Sequence, residues 1–265
     1  RGPRITETVK PMQIRTSSQL AATANPVFSR PIRGALITAC VLSLALVTTG
    51  CGKKSTADKP VASKGASQAA MSPTLGADRP KVDVLAFVDY ECPFCRSNAG
   101  KLPAAAERHG KPMRVRIVNL PLDVHSNSVD LAKAGVAAHK QGKWAPFYKA
   151  ILADEKADKE AAIAWAAKAG LDAKKFAADL DSKETSDTIA ADVALAAVLG
   201  VTGTPSFIIN GALVQGAQND EDWDKIVTNQ SAAWDALVKK GTKEADAHWT
   251  LVQANSPQRA PVYKK

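Results

Sequence analysis

Apolar residues recur at two spacings along this chain, and each spacing predicts a different kind of element. Lys81–Asp89 (KVDVLAFVD) alternates imperfectly and then runs apolar, as a buried strand does. Met113–Leu120 (MRVRIVNL) alternates with Met113, Val115 and Ile117 on one face and predicts a second strand. Between them, Arg96–Arg108 is helix-permissive, with a bend expected at Pro103. Helical intervals then take over. Ser128–Gln141 places Val129, Ala132 and Val136 on a stripe, and Trp144–Leu152 continues with Phe147, Tyr148 and Ile151. Lys159–Ala169 and Asp172–Leu180 read as two further helices, with Gly170 as a stop and Asp172 as an N-cap. Asp187–Leu199 carries Ile189, Val193 and Ala196 on one stripe and ends at Gly200.

The spacing then returns to that of strands. Ser206–Ile209 and Ala212–Val214 flank Asn210-Gly211, a two-residue hairpin signal. Asn219 or Asp220 caps a last helix that carries Trp223, Ile226, Val227, Trp234 and Leu237. The order is strand, helix, strand, a block of helices, then a hairpin and a helix. A hairpin cannot bury both of its faces alone, so the strands must share one sheet with helices on both sides. The expected fold class is α/β, with a central mixed sheet and an inserted all-helical subdomain at about 122–199.

Composition sets the rest of the frame. The chain has 265 residues, 45% of them apolar and 23% charged, which suits a packed core. A mean hydropathy of −0.15 excludes a polytopic membrane protein. The net charge of +9 is no argument for nucleic acid, because lysines interleave with acids along the helices, as in Asp154–Glu160. No nucleic-acid partner is expected.

The front of the chain reads as an address. Arg30-Pro31-Ile32-Arg33 is basic, Ala35–Val47 is almost wholly apolar, and Thr48-Thr49-Gly50-Cys51-Gly52 is small. That sequence of regions is a secretory signal, too short for a spanning helix of about 20 residues; the alternative is a single membrane anchor. Met12 is a candidate start. Thr48–Cys51 resembles the lipobox of bacterial lipoproteins, although the usual Leu three places before the cysteine is replaced by Thr48. The resemblance implies lipidation of Cys51 and, with Gly52 rather than Asp next, the outer membrane of a diderm cell. Residues 1–51 are thus the extension and leader. Residues 52–80 read as a disordered tether, 81–240 as the folded domain and 241–265 as a C-terminal tail. The expected location is the periplasm or cell envelope, on a lipid anchor, where disulfides persist.

Candidate chemistry lies at Cys92-Pro93-Phe94-Cys95, between the first strand and the first helix. Of the four cysteines, Cys40 leaves with the leader and Cys51 takes lipid, so Cys92 and Cys95 remain as thiols. A structural disulfide here closes a very small loop and stabilises little. A zinc site needs about four ligands, and the four histidines are scattered. A redox pair fits better. Unpaired N–H groups at a helix start favour a thiolate on Cys92, Cys95 can donate a hydrogen bond to it, and Pro93 sits where its missing N–H does no harm. Arg96 adds a solvated charge. No metal or organic cofactor is expected beyond a redox-active Cys92–Cys95 disulfide.

FVDYECPFC and GVTGTPSFIINGALVQGA together resemble the DsbA-like thiol–disulfide oxidoreductases, which have a thioredoxin-like fold with a helical insertion. Pro121 with His125, and QGKWAPFY at Gln141–Tyr148, are weaker matches. The resemblance covers roughly residues 81–240. It implies that Cys92 is the exposed nucleophile, Cys95 the buried resolving thiol, and Thr204-Pro205 a cis bond facing the pair and holding a client backbone. Pro93 and Phe94 would tune the pair. Implied partners are cysteine-containing client proteins and a membrane redox partner that recycles the pair. The most direct reading is an oxidase in protein folding. The alternative is an envelope lipoprotein of the same fold that binds peptides or proteins without redox turnover.

One departure bears on mechanism. In much of the family an acid lies six places before the nucleophile, where this chain has Ala86. Asp83 has the wrong spacing to replace it, and Asp89 and Glu91 are expected to be exposed. His125 either lines the active-site face of the insert or merely caps and packs.

Overall fold

The computed structural model describes residues 72–110, 112–152, 154 and 158–259. The leader, Cys51 and the first part of the tether lie outside the described residues. Among those described, the strands are β1 (Thr74–Gly76), β2 (Val82–Val88), β3 (Met113–Asn119), β4 (Ser206–Ile209) and β5 (Ala212–Gln215). The helices are α1 (Pro93–Asn98), α2 (Lys101–His109), α3 (Ser128–Lys140), α4 (Trp144–Leu152), α5 (Lys159–Lys168), α6 (Ala173–Leu180), α7 (Lys183–Leu199), α8 (Asp220–Lys239) and α9 (Glu244–Asn255).

The strands form one mixed sheet in the order β1-β3-β2-β4-β5. Central β2 runs parallel to β3 and antiparallel to β4, which explains its near-continuous apolar run. Its two faces enter different clusters. Val82, Val84, Ala86 and Val88 join Phe207, Trp223 and Val227 on one side. Leu85 and Phe87 join Val118, Leu199, Val201 and Ile208 on the other. Asn210 and Gly211 make the β4–β5 turn with positive φ at both positions, 45° and 89°. A Cβ on Gly211 would lie 2.9 Å from the Val252 backbone of α9, so this glycine also lets the last helix approach.

Several boundaries differ from the sequence expectation, each for a local reason. The 52–80 tether gives way at Thr74–Gly76 to an edge strand paired antiparallel with β3; three residues are too few to show a period. The expected bent helix is two helices, broken at Ala99-Gly100 rather than at Pro103. Pro103 instead occupies the first turn of α2, where an N–H has no intrahelical partner to lose. Helix α7 begins at Lys183, because the Ser182 side chain accepts a hydrogen bond from the Thr185 N–H. The predicted stripes also shift. Val129 is exposed, and Val193 partly so, while buried Asp192 takes a core position by accepting from the Asn119 backbone and side chain at 2.9 and 2.8 Å.

Most of the 241–265 tail is a packed part of the domain. Helix α9 buries Ala247 and Leu251 against Trp234, and Asn255 donates to the Asn210 carbonyl at 2.8 Å. Beyond it, Arg259 donates from Nε to the Leu199 carbonyl at the end of α7, at 2.7 Å. Its short apolar stripe explains why the sequence alone reads as a tail. Under the same end of the sheet, buried Asp83 accepts from Arg114 and Arg116 at 2.9 and 2.7 Å, and these cations hold its carboxyl below the usual range against the opposing effect of burial.

Helix α8 starts with a reciprocal capping box between Asn219 and Asp222. Asn219→Ala removes one half of it and is expected to lower stability by about 1 kcal/mol, read as a shift in urea midpoint at constant m-value.

Candidate active site

Strand β2 ends at Val88, and a tight turn through Asp89, Tyr90 and Glu91 delivers Cys92 to the start of α1. The turn is closed by the Cys92 N–H donating to the Asp89 carbonyl at 3.2 Å. Pro93 is the first helical residue, so the free N–H groups at this tip belong to Phe94 and Cys95. Cys92 and Cys95 are both free thiols in this structure.

Residues from far along the chain complete the site. The Thr204-Pro205 peptide is cis. It stands at the head of β4, and the Cys92 thiol lies 3.5 Å from the Thr204 carbonyl oxygen. That backbone covers the sulfur. Cys92 is only 3% exposed, contrary to the open nucleophile expected from sequence, while neighbouring Phe94 is 65% exposed. Cys95 is also buried, as expected. Arg96, expected as a solvated charge, turns its Nη1 into a buried position.

The two thiols are driven apart in acidity. The Cys92 pKa falls to about 5, chiefly because Cys95 donates a hydrogen bond to its sulfur. Burial opposes this fall, while the Thr204 side chain and the backbone N–H groups of Cys95 and Phe94 lower the pKa further. The Cys95 pKa is pushed far up by the same bond, which it makes only while protonated, and by burial. The arrangement holds one proton on Cys95 and a negative charge on Cys92.

Asp89 is the largest surprise. It is 1% exposed rather than at the surface. Its Oδ1 accepts from the Glu91 N–H at 2.9 Å, and its Oδ2 from the Leu122 N–H at 3.0 Å and from His125 Nδ1 at 2.7 Å. Glu91 is half-buried and accepts from the Asn127 backbone and side chain at 2.6 and 3.1 Å. These two acids tie the turn before the cysteines to the loop that opens the helical insert. His125 is thereby seated on the residue whose carbonyl closes the turn before Cys92. Ala86 remains a core residue with no polar role.

Sequence reasoning passed over the aromatic floor. Tyr90 accepts from Trp144 Nε1 at 3.0 Å, and Trp144 stacks on Tyr148 with centroids 4.5 Å apart. Burial raises both tyrosine pKa values, so the floor beneath Cys95 stays uncharged. A Cβ on Gly135 of α3 would lie 2.7 Å from the Tyr90 hydroxyl, so glycine there lets the insert close onto this floor. The weak QGKWAPFY match was the available signal for Trp144 and Tyr148.

A family model described as thioredoxin matches residues 68–229. The chain belongs to the thioredoxin family. Its DsbA-like character also holds among relatives of this family. The chain is 31% identical to the "Probable disulfide bond formation protein D" of Bacillus cereus over 53% of its own length and 70% of that protein. A solved thioredoxin-like oxidoreductase from Silicibacter pomeroyi DSS-3 is 30% identical, covers 62% of this chain and 94% of its own, and superposes with a TM-score of 0.57. A Na(+)/H(+) antiporter NhaA of Herminiimonas arsenicoxydans is 28% identical over 61% of this chain, yet the match spans only 26% of the antiporter. The thioredoxin fold expected from sequence, with its mixed sheet flanked by helices, is thus borne out. No helix among the described residues is long and apolar enough to cross a membrane.

Proposed function

We propose that this thioredoxin-family protein is a thiol–disulfide oxidoreductase that exchanges disulfides with extracytoplasmic, cysteine-containing clients, acting as an oxidase in protein folding. The observation that carries this reading is the opposed acidity of the two thiols beneath the Thr204-Pro205 backbone. The names of its relatives, a disulfide bond formation protein and a thioredoxin-like oxidoreductase, support it.

The electron carrier is the Cys92–Cys95 disulfide. A client thiolate attacks the Cys92 sulfur; the Cys92–Cys95 bond breaks, and its electron pair leaves on Cys95, which takes up a proton. A second client thiolate attacks the client sulfur of the mixed disulfide and expels Cys92 as a thiolate. The client loses two electrons and the pair gains them. High acidity at Cys92 suits the last step, because a sulfur with a depressed pKa is the better leaving group, and low acidity at Cys95 keeps the proton that it takes up in the first step. Exposed Phe94 offers apolar contact to an incoming chain, and the Thr204 backbone offers hydrogen bonds to an extended one. A membrane redox partner then removes the electrons. In the cell envelope, Cys51 would carry the lipid anchor.

Equilibration with glutathione tests the direction. A potential near about −120 mV is expected for a donor of disulfides, and one near about −270 mV would instead mark a reductant.

A further inference from the structure

The groups that hydrogen-bond to Cys92 are uncharged, and the CPFC motif contains no cation: Phe94 is apolar, and neighbouring Arg96 turns a nitrogen into a buried position. The insert loop supplies one. His125 Nδ1 is 2.7 Å from Asp89 Oδ2, and the backbone carbonyl of the same Asp89 accepts from the Cys92 N–H at 3.2 Å. One buried residue thus holds both the imidazole and the nucleophile. The loop is fastened twice more, by Leu122 N–H to Asp89 and by Asn127 to Glu91. The His125 side chain keeps 20% of its surface exposed, while the Asp89 carboxylate has none.

We propose that His125, seated on the buried Asp89 carboxylate, is the cation that stabilises the Cys92 thiolate and so sets the potential of the pair. This deepens the oxidoreductase reading and rests on it. A buried carboxylate 2.7 Å away favours the imidazolium, and a ring held there has little freedom to turn away. The titratable groups whose charge acts on His125 are Asp89 and Glu91 from the turn and Cys92 from the helix tip; the first two fasten the loop, and the third is the group being charged. Its pKa is raised, first by the hydrogen bond to Asp89, against a smaller opposing effect of desolvation. The site thereby replaces a charge within the cysteine motif by one carried on the insert.

The test follows the Cys92 thiolate by its ultraviolet absorbance against pH in wild type, His125→Gln and His125→Lys, with the potential measured against glutathione. Gln keeps a hydrogen bond to Asp89 and loses the charge; Lys keeps the charge. In His125→Gln the thiolate pKa is expected to rise by about one unit. The tenfold change this brings in the exchange constant lowers the potential by about 30 mV, making the pair less oxidising. His125→Lys is expected to stay near wild type. An unchanged titration in His125→Gln, or an equal rise in both variants, would overturn the proposal. The wild type offers a check that needs no variant. Coupling is reciprocal, so the NMR-detected His125 pKa should be about one unit higher in the reduced than in the oxidised protein. Equal values would sink the idea. An ordinary thiol in wild type without disulfide exchange would instead reject the oxidoreductase reading itself.

Discussion

Cys92→Ser is expected to abolish disulfide exchange, and Cys95→Ser to trap the protein on its client. Serine at 92 has no ionised nucleophile at neutral pH and cannot form the mixed disulfide, so insulin reduction by dithiothreitol should fall to the rate without protein. Serine at 95 removes the resolving sulfur. It also removes the hydrogen bond that most lowers the Cys92 pKa, but a serine hydroxyl can donate a similar one. The Cys95→Ser thiolate should therefore still react, then stall as a covalent adduct visible on a non-reducing gel. The residues lining the pocket beside residue 95 (Val88, Asp89, Tyr90, Arg96 and Tyr148) include no second thiol to release the client. Equal insulin rates for wild type and Cys92→Ser would leave a binding module as the better description.

The reduced protein should gain stability as pH rises, and the oxidised protein should lack that gain. The folded Cys92 pKa of about 5 lies below that of an unfolded thiol, near about 8.5. Between those values the unfolded chain binds the proton and the folded chain does not, so stability rises with pH. The slope approaches about 1.4 kcal/mol per pH unit. The contribution is complete above the unfolded thiol value and lost as pH falls through the folded one. Cys95 has the opposite sign. Its raised pKa favours the folded state below the unfolded thiol value, and that advantage is lost as pH rises further. The reduced-state curve should therefore peak near the ordinary thiol pKa. Urea titrations of both redox states across this range provide the measurement, and taking their difference cancels groups common to both. Parallel curves would show that Cys92 is an ordinary thiol.

This acidity difference binds the function to the fold. A lone cysteine at a short helix tip gains little. At Cys92 the gain comes from a second thiol one turn along, from backbone N–H groups at the helix tip and from Thr204 at the head of β4. Thr204 is placed from outside the motif by the sheet through β4, and the Asp89 carbonyl closes the turn that delivers Cys92.

Much of the secondary structure was legible because its signals are local. The apolar run of β2, the Asn210-Gly211 turn, the Asp172 cap and the CPFC pair each declare themselves within a few residues. The edge strand at Thr74–Gly76 and the start of α7 were missed because neither carries a periodic apolar stripe. Helix α9 was missed for a related reason: only Ala247, Leu251 and Val252 are buried in its length. Asp89 was misjudged because a carboxylate beside a turn is ordinarily solvated. Its burial depends on donors at Glu91, Leu122 and His125, two of them more than thirty residues away.

The order of strands and helices and the candidate cysteine pair were legible in the sequence by itself, because hydrophobic period, turn chemistry and cysteine spacing are properties of neighbouring residues, and the thioredoxin-like arrangement followed from the resemblance those motifs carry. The burial of Cys92, the burial of Asp89 and the seating of His125 on its carboxylate were decided only by tertiary structure. A charge is stabilised by whatever stands within a few ångströms of it, and here those neighbours come from three separate stretches of chain.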